Sequence, residues 1–215
     1  MSCPICGKRK PKRFCPAKGE KICAICCGTE REVTIDCPSD CIHLIASRRW
    51  DAEHRKPLAP EEWPFPDVRA SEHALAEHQR IFFGLGWVTL EFAQQEPALR
   101  DADALEAVDA LAKTYRTLTS GILYDQPPPG GLARELYARL TQALEEFKRE
   151  EEREGGLAAL KDSEALLQII FLLRIIYSET NGRPRSRAAL DYLRERFPRE
   201  AVEEIAGHGP RIITP

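Results

Sequence analysis

The stretch "CPICGKRKPKRFCPAKGEKICAICC", residues 3 to 27, places six cysteines among lysines and arginines. The chain has 215 residues and eight cysteines, and all eight lie between Cys3 and Cys41. The thiols therefore belong to one small module. Metal binding, disulfide formation and redox chemistry are the three uses that such a module suggests.

The expected compartment argues against disulfides, which are typical of secreted chains. No apolar segment that would act as a signal peptide follows Met1, so we expect reduced thiols and a cytoplasmic protein. The longest apolar run, "ALLQIIFLLRII" from Ala165 to Ile176, is shorter than the roughly 20 residues that a membrane span requires. The sequence thus predicts a soluble protein with no membrane partner.

The cysteine spacing is typical of structural zinc sites. Cys3 and Cys6 form a Cys-x2-Cys pair, as do Cys23 and Cys26, and such pairs wrap one face of a zinc ion. Farther along, Cys37 and Cys41 are four residues apart, which is one helical turn, and Pro38 suits a first helical position. We therefore expect these last two thiolates on one face of a helix.

Eight thiolates are enough to fill two four-cysteine sites. The side chains of adjacent Cys26 and Cys27 diverge, so these two residues are expected to bind different ions. The sequence predicts two zinc ions with interleaved ligands: the first bound by Cys3, Cys6, Cys23 and Cys26, the second by Cys15, Cys27, Cys37 and Cys41.

Other uses of these thiols fit the pattern less well. A thioredoxin-type dithiol would need a βαβ context, which the sequence pattern does not show. Iron also binds four-cysteine sites, but two interleaved structural sites favour zinc. A catalytic zinc keeps one position open for water, whereas these thiolates are enough to close both sites. The predicted metal role is therefore structural.

The segment "RFCPAKGEKICAIC", residues 13 to 26, resembles the centre of a B-box zinc finger. The resemblance covers residues 3 to about 45 and implies a cross-brace, a role in protein interaction and association between like modules, so a homo-oligomer is one expectation. The second site departs from the family. Lys18 stands where the family has Asp, Cys or His, and Cys37-x3-Cys41 replaces a closing His-x2-His. Cys27 supplies the missing ligand in our assignment, with His43 as the alternative.

Helical patterns dominate from Cys37 onward. A helix is expected through "IHLIASRRWDAEHR", and the prolines of "KPLAPEEWPFPD" then predict a linker whose Trp63 and Phe65 lie on the next domain as a strap. Ser71 suits the cap of a helix to about Gln95, in which the glycines of "FFGLGW" loosen the helix or allow another helix to approach closely.

The rest of the chain predicts further helices. Asp101 or Asp103 starts one, and "YDQPPPGG" ends that segment. An apolar stripe from Leu132 to Phe147 marks the next helix. Ser163 opens "EALLQIIFLLRIIYSE", which is apolar nearly all round and so expected at the centre of a bundle, closed by "NG". Two shorter helices are expected at 187–197 and 199–207.

The predicted fold class is mainly α, with a small two-zinc cross-brace finger followed by an all-α helical bundle. The expected domains are a zinc module at 1–56, a proline-rich linker at 57–70 and the bundle at 71–215. Residues 1–56 carry a net charge of +5 and the remainder −8, which also indicates two regions.

The sequence favours a non-enzymatic adaptor that binds a protein partner. No P-loop, dinucleotide-binding glycine motif or Gly-x-Ser-x-Gly elbow occurs, and the basic "GRPRSR" at 182–187 is expected to be solvated rather than to bind phosphate. An enzyme with an unrecognised site in the helical domain is a further alternative.

Nucleic-acid binding is the second hypothesis, because the first 27 residues contain one acidic residue, Glu20, against Lys8, Arg9, Lys10, Lys12, Arg13, Lys18 and Lys21. Two observations weaken it. Each four-thiolate zinc site carries a formal −2 charge, and Phe14 is the only aromatic residue there for base stacking.

Overall fold

The structure is a computed structural model that describes residues 2–69, 71–122, 124–155 and 160–197, without the side chains of residues 154 and 155. Within these residues it has eight α-helices and one two-stranded sheet, which confirms the mainly α class. The strands are β1 (Arg13–Cys15) and β2 (Glu20–Ile22), and the helices are α1 (Ala24–Thr29), α2 (Ile42–Glu53), α3 (Glu72–Glu77), α4 (Gln79–Gln95), α5 (Asp101–Thr119), α6 (Gly131–Gly155), α7 (Asp162–Glu179) and α8 (Ala188–Arg196).

A β-hairpin forms the centre of the finger. Its strands pair antiparallel, with Phe14 opposite Lys21 and Cys15 opposite Glu20. Gly19 closes the turn at φ 68°, a conformation that glycine adopts without steric cost, and its N–H donates to the Cys15 carbonyl at 2.9 Å. Strands of three residues are too short to produce an alternating pattern, so the sequence did not indicate them.

Helix α2 begins later than the sequence predicts. Cys41 is its N-cap. The Cys41 N–H donates to the Pro38 carbonyl at 3.0 Å, so residues 38 to 41 form a separate turn before the helix. Cys37 therefore lies ahead of the helix. The expectation that Cys37 and Cys41 share one helix face was wrong, because the chain enters α2 through this turn.

The proline-rich segment lies along the bundle as the predicted strap. Phe65 and Val68 pack against the bundle core. The Arg174 guanidinium on α7 donates to the carbonyls of Pro64 at 3.1 Å, Phe65 at 2.7 Å and Val68 at 2.9 Å. A cation in the middle of an apolar helix is thus satisfied by the backbone of the strap.

The helix expected from Ser71 to Gln95 is two helices. The Ser71 hydroxyl accepts the Ala74 N–H at 3.1 Å and so caps α3 as predicted, but His78 (φ −116°, ψ 27°) interrupts the helix before α4. The glycines of α4 do not break it. A Cβ on Gly84 would lie 2.3 Å from the Phe147 ring, and one on Gly86 would lie 2.4 Å from the Phe197 ring. Both glycines permit close approach, one of the two roles expected of them.

The bundle is built around α7, which contacts α3, α4, α5 and α8, as its apolar sequence predicts. The predicted stripe of α6 is buried at Leu136, Leu140 and Leu144. Helix α7 starts at Asp162, one residue before Ser163, and Gly182 follows its end at φ 67°. The helix expected at 199–207 lies outside the described residues. None of the helices in the described ranges is long and apolar enough to cross a membrane.

The "GRPRSR" loop binds the finger, contrary to the expectation of a solvated turn. Arg183 Nη1 donates to the carbonyls of Gly28 at 3.2 Å and Arg31 at 2.6 Å, and the Arg185 N–H donates to the Glu32 carbonyl at 2.8 Å. All three carbonyls lie in the segment that directly follows Cys27. The loop therefore forms hydrogen bonds with the backbone of the finger, although the two segments are about 150 residues apart in the chain.

Glu32 is the buried centre of this junction, with 1% of the residue exposed and φ at 52°. Its carboxylate accepts from Arg48 Nη2 at 2.7 Å and from Asn181 Nδ2 at 2.7 Å. Arg48 also donates to Asp191 on α8 at 2.6 Å. A carboxylate removed from water needs such partners, so the finger, α2, the loop and α8 are joined by one polar network.

Asp101 fixes the same loop from the bundle side. Its buried carboxylate accepts from the Ser186 hydroxyl at 2.6 Å and from the N–H groups of Ala189 and Leu190, both at 3.2 Å. A side chain at the start of α5 thus satisfies free N–H groups in the first turn of α8. The loop that binds the finger is therefore hydrogen-bonded to the bundle at its C-terminal end.

Candidate metal centre

One group of cysteines has the geometry of a metal site. The sulfurs of Cys3, Cys6, Cys23 and Cys26 all lie within 4.8 Å of one another, and those of Cys6 and Cys23 are 4.0 Å apart. A tetrahedral zinc with Zn–S distances of about 2.3 Å separates its sulfurs by about 3.8 Å. The first predicted ligand set is therefore brought together close to the spacing that a zinc ion requires.

Local backbone structure positions these four thiols. Gly7 leaves the first turn at φ 65°, and its N–H donates to the Cys3 carbonyl at 2.7 Å. The second pair lies where β2 passes into α1, with Cys23 as the N-cap of that helix. The N–H groups of Cys23 and Cys26 donate to the sulfurs of Cys3 at 3.3 Å and Cys23 at 3.4 Å, as expected for groups that carry negative charge.

The pKa values within the group are shifted in opposite directions. The backbone N–H groups of Lys8 and then Arg9 lower the pKa of Cys6 to about 6. Burial, followed by the neighbouring thiols, raises the pKa of Cys26 to about 12. One thiolate is favoured before a metal arrives, whereas a full set of four is opposed by mutual repulsion that a divalent cation removes.

The second predicted set does not form a comparable group. Among the residues that the structure describes, only the first set has three or more such ligand atoms within 4.8 Å of one another. Burial is the main reason that the pKa of Cys37 is raised, and the charges of Cys41 and Cys15 raise it further.

Cys27 packs against the buried cluster of the finger, and its sulfur lies beside two arginines. Its sulfur lies 3.7 Å from Arg13 Nη1 and 3.9 Å from Arg31 Nη2. Burial first, and then the charges of Arg13 and Arg31, lower the pKa of His43. Of the two candidates for the fourth ligand of the second site, Cys27 is therefore the one in contact with these guanidinium groups.

The finger also exposes apolar side chains around its metal-binding segments. Phe14 on β1 is 56% exposed, Ile25 in the second cysteine pair is 53% exposed, and Ile5 in the first pair is partly exposed. The sequence analysis singled out Phe14 but missed the isoleucines. A signal existed, because each isoleucine stands at the third position of a Cys-x2-Cys pair, between two expected metal ligands. The same part of the chain also exposes six basic residues: Lys8, Arg9, Lys10, Lys12, Lys18 and Lys21.

Comparisons of the chain with protein-family models, with curated proteins and with solved structures find no match. No family is assigned by these comparisons. The four-cysteine group and its surroundings are therefore interpreted from their own geometry and chemistry.

Proposed function

We propose that this chain is a non-enzymatic, zinc-binding adaptor whose finger binds a protein partner. The observation that carries the proposal is the group formed by Cys3, Cys6, Cys23 and Cys26. Four thiolates complete the tetrahedron of a zinc ion and leave no position for a substrate or water, which is the arrangement of a structural site.

Zinc has a clear energetic role in this finger. Its buried apolar cluster consists of two isoleucines and four cysteines, with Ile22 and Ile35 as the only large side chains among its described members. Two buried isoleucines contribute on the order of 3–6 kcal/mol, far less than the ordering of some fifty residues costs. A structural zinc contributes on the order of 10 kcal/mol and so couples metal binding to folding.

The full proposal includes two zinc ions per chain, a B-box-like cross-brace and a cytoplasmic setting in which thiols remain reduced. The second ion would be held by Cys15, Cys27, Cys37 and Cys41. It is supported by the effect of the Cys41 and Cys15 charges on the pKa of Cys37. Binding would require these thiols to close around the metal, which a divalent cation promotes by removing their repulsion.

Native mass spectrometry of the purified protein tests the metal content. We expect a mass with two zinc ions and eight reduced cysteines. A mass with one zinc would remove the second site, and a mass with disulfides and no metal would overturn the zinc proposal as a whole.

The partner surface consists of the exposed Ile5, Phe14 and Ile25 and the basic residues around them. Apolar anchors within a positively charged rim suit an acidic protein segment with its own apolar side chains. Apolar contact supplies affinity that salt does not screen, while the charges determine which partners approach. The proposed partner is therefore an acidic amphipathic segment.

Selection from a displayed random-peptide library tests this surface directly. We expect zinc-loaded protein to enrich acidic peptides that contain large apolar residues, and Phe14→Glu and Ile25→Glu to lose that enrichment. Tyr177→Glu is the matched control, since Tyr177 is a partly exposed aromatic residue on α7 of the bundle. Peptides without acidic residues, or equal enrichment by Phe14→Glu, would contradict the proposed surface.

Nucleic-acid binding is the second candidate, favoured by the same basic rim and by the exposure of Phe14 for base stacking. The adaptor proposal expects DNA affinity no tighter than the non-specific range of roughly 0.1 mM to 1 μM at physiological salt. Fluorescence anisotropy at two salt concentrations measures it. Nanomolar, sequence-dependent binding that is abolished by changing Lys8, Arg9 and Lys10 to Glu would establish the second candidate.

A further inference from the structure

Helix α2 presents an apolar face to solvent. Ile42 is 74% exposed, Ile45 is 52% exposed and Trp50 is 59% exposed, and Ala46 between them is exposed as well. With about 3.6 residues per turn, these four residues lie on one side of the helix, and we call them the α2 stripe. Single apolar residues are ordinary on a protein surface, whereas a contiguous group of them indicates an interaction site.

The opposite side of α2 is fixed to the rest of the protein. Leu44 on that side is buried, with 1% of the residue exposed. Arg48 donates to Glu32 of the finger at 2.7 Å and to Asp191 of α8 at 2.6 Å. These contacts determine how the helix is rotated, so the stripe cannot turn inward. The residues that the structure describes therefore leave the stripe uncovered.

Trp50 is already held in one position at the surface. Its indole stacks on the ring of His54 with a centroid separation of 4.2 Å and an interplanar angle of 16°. His54 Nδ1 in turn lies 2.8 Å from the carbonyl oxygen of Trp50. A side chain that is ordered before binding loses little conformational entropy in a complex, and tryptophan is typical of the residues that dominate binding energy.

The spacing of the stripe makes it complementary to itself. Ile42, Ala46 and Trp50 are four residues apart and so form one ridge along the helix, with a small residue between two large ones. In a two-fold contact, residues near the axis meet their own counterparts and residues away from it meet the other end of the ridge. If the axis passes Ala46, the helices approach closely there, and Ile42 of each copy meets Trp50 of the other.

The charges on the same side of α2 also suit a second copy. Arg49 and Glu53 are exposed on this side, one of each sign, so the stripe has no excess charge that would repel its counterpart or attract an acidic segment. A parallel pair of α2 helices would place each of these residues opposite itself. An antiparallel pair centred on Ala46 separates the like charges.

We propose that the stripe is a homodimer contact, in which α2 packs antiparallel against α2 of a second copy of this chain about a two-fold axis at Ala46. Ile45 lies beside that axis and lines a groove of about 430 Å³ between α2 and α8, together with Ala52 and Tyr192. The groove extends the contact beyond α2. Three turns of helix bury less than the roughly 800 Å² per partner of a standard interface, so we expect a weak dimer with a dissociation constant on the order of 1–100 μM.

The stripe is separate from the finger surface of Ile5, Phe14 and Ile25, so one dimer presents two fingers. A partner with two acidic segments would then bind with higher apparent affinity than a partner with one, because its second contact is intramolecular. This consequence rests on the proposed function, whereas the dimer itself does not.

Sedimentation velocity of the full chain over a range of concentrations tests the dimer. We expect a reversible monomer–dimer equilibrium in the wild type. Ile42→Glu and Ile45→Glu should each weaken it by about 100-fold or more, because a charge would be buried in an apolar contact. Ile122→Glu is the matched control, since Ile122 is an isoleucine outside α2 that is 60% exposed. It should dimerise as the wild type does.

A charge pair tests the antiparallel orientation. Trp50→Lys alone should weaken the dimer as Ile42→Glu does. The double variant Ile42→Glu, Trp50→Lys should recover part of the loss, because the new carboxylate of one copy lies opposite the new ammonium group of the other. In a parallel pair like charges would meet, and the double variant would associate less than either single variant. Circular dichroism equal to that of the wild type shows that each variant is folded.

Three outcomes would overturn the inference. One is a wild-type chain that is monomeric at every concentration. Another is a dimer that Ile42→Glu and Trp50→Lys leave unchanged and that Phe14→Glu abolishes, which would place self-association on the finger. The third is a monomeric wild type whose peptide selection is changed by Ile42→Glu, which would assign the stripe to a different protein. A finger that selects no acidic peptides while the dimer persists would instead reject the proposed function alone.

Discussion

The finger and the helical bundle are stabilised by different means. The bundle buries a continuous apolar core from α4 to α8 that contains no cysteine. The finger buries little besides its thiols, Ile22 and Ile35. The bundle therefore owes its stability to the hydrophobic effect, whereas the finger has too small an apolar core for this and, under the proposed function, depends on a bound cation.

The junction between the two regions shows a third arrangement. It is polar and centred on Glu32, Arg48 and the arginines of the "GRPRSR" loop. Hydrogen bonds to buried backbone and charged groups fix relative position but contribute modestly to net stability, since each replaces a bond to water. The comparison thus predicts that the bundle stays folded without metal and that the finger does not. It also predicts that a change at the junction alters the stability of the finger.

The largest expected effect is the removal of a metal ligand by Cys23→Ser. We expect loss of the first zinc and unfolding of the finger, because a site worth on the order of 10 kcal/mol loses one of its four ligands. Most of the helical signal in circular dichroism should remain, since the bundle core contains no thiol. Ala24→Ser is the control, as it adds a hydroxyl to the same turn and keeps all four thiolates. A global loss of helix would show that the finger is an integral part of the bundle.

The next effect is at the junction. Glu32→Ala leaves Arg48 and Asn181 with one partner fewer, and breaking a buried ion pair by removing one partner costs about 3–5 kcal/mol. We expect a lower thermal midpoint and faster zinc release to a chelator, because the finger would lose its side-chain bonds to Arg48 on α2 and to Asn181. Glu53→Ala, a change at an exposed acid at the end of α2, should behave as the wild type. If chelator kinetics are unchanged in Glu32→Ala, the finger and the bundle are not coupled through this network.

A smaller effect is expected inside the bundle. Gly86→Ala would bring a Cβ to 2.4 Å from the Phe197 ring, and such overpacking costs about 1–3 kcal/mol, more than the roughly 1 kcal/mol that alanine gains in a helix. Urea unfolding followed by circular dichroism measures the loss, and zinc content should stay constant. Gly130→Ala has no heavy atom within 4 Å of its Cβ and provides the comparison. A stabilised Gly86→Ala protein would mean that Phe197 moves aside at little cost.

The smallest effect is expected for an exposed contact between the regions. Arg55 forms an ion pair with Glu179 at 3.0 Å, and both side chains are partly exposed to solvent. Arg55→Ala should change the free energy of unfolding by less than about 1 kcal/mol, since exposed pairs are screened by water and salt. If Arg55→Ala lowered the free energy of unfolding as much as Glu32→Ala does in a urea titration, the exposed ion pair and not the buried network would stabilise the junction.

Much of the helical region could be predicted because its signals are local. The apolar stretch of α7 and the stripe of α6 follow directly from helical spacing, and Ser71 caps α3 as its side chain permits. The errors occurred where tertiary contacts or short turns decide. The break at His78 carries no glycine or proline, and the turn that ends at Cys41 has the same spacing as a turn of helix.

The sequence alone determined the helical class and the first candidate set of metal ligands, because a Cys-x2-Cys pair and an amphipathic stripe are defined by residues close together in the chain. Only the tertiary structure decided which rings enter the spaces at Gly84 and Gly86, that Arg183 and Arg185 bind the finger, and that Cys27 lies between two arginines. These contacts join residues that are distant in the chain. Burial then removes the water that would otherwise satisfy each charge, so the partner that replaces it is set by the fold and not by neighbouring residues.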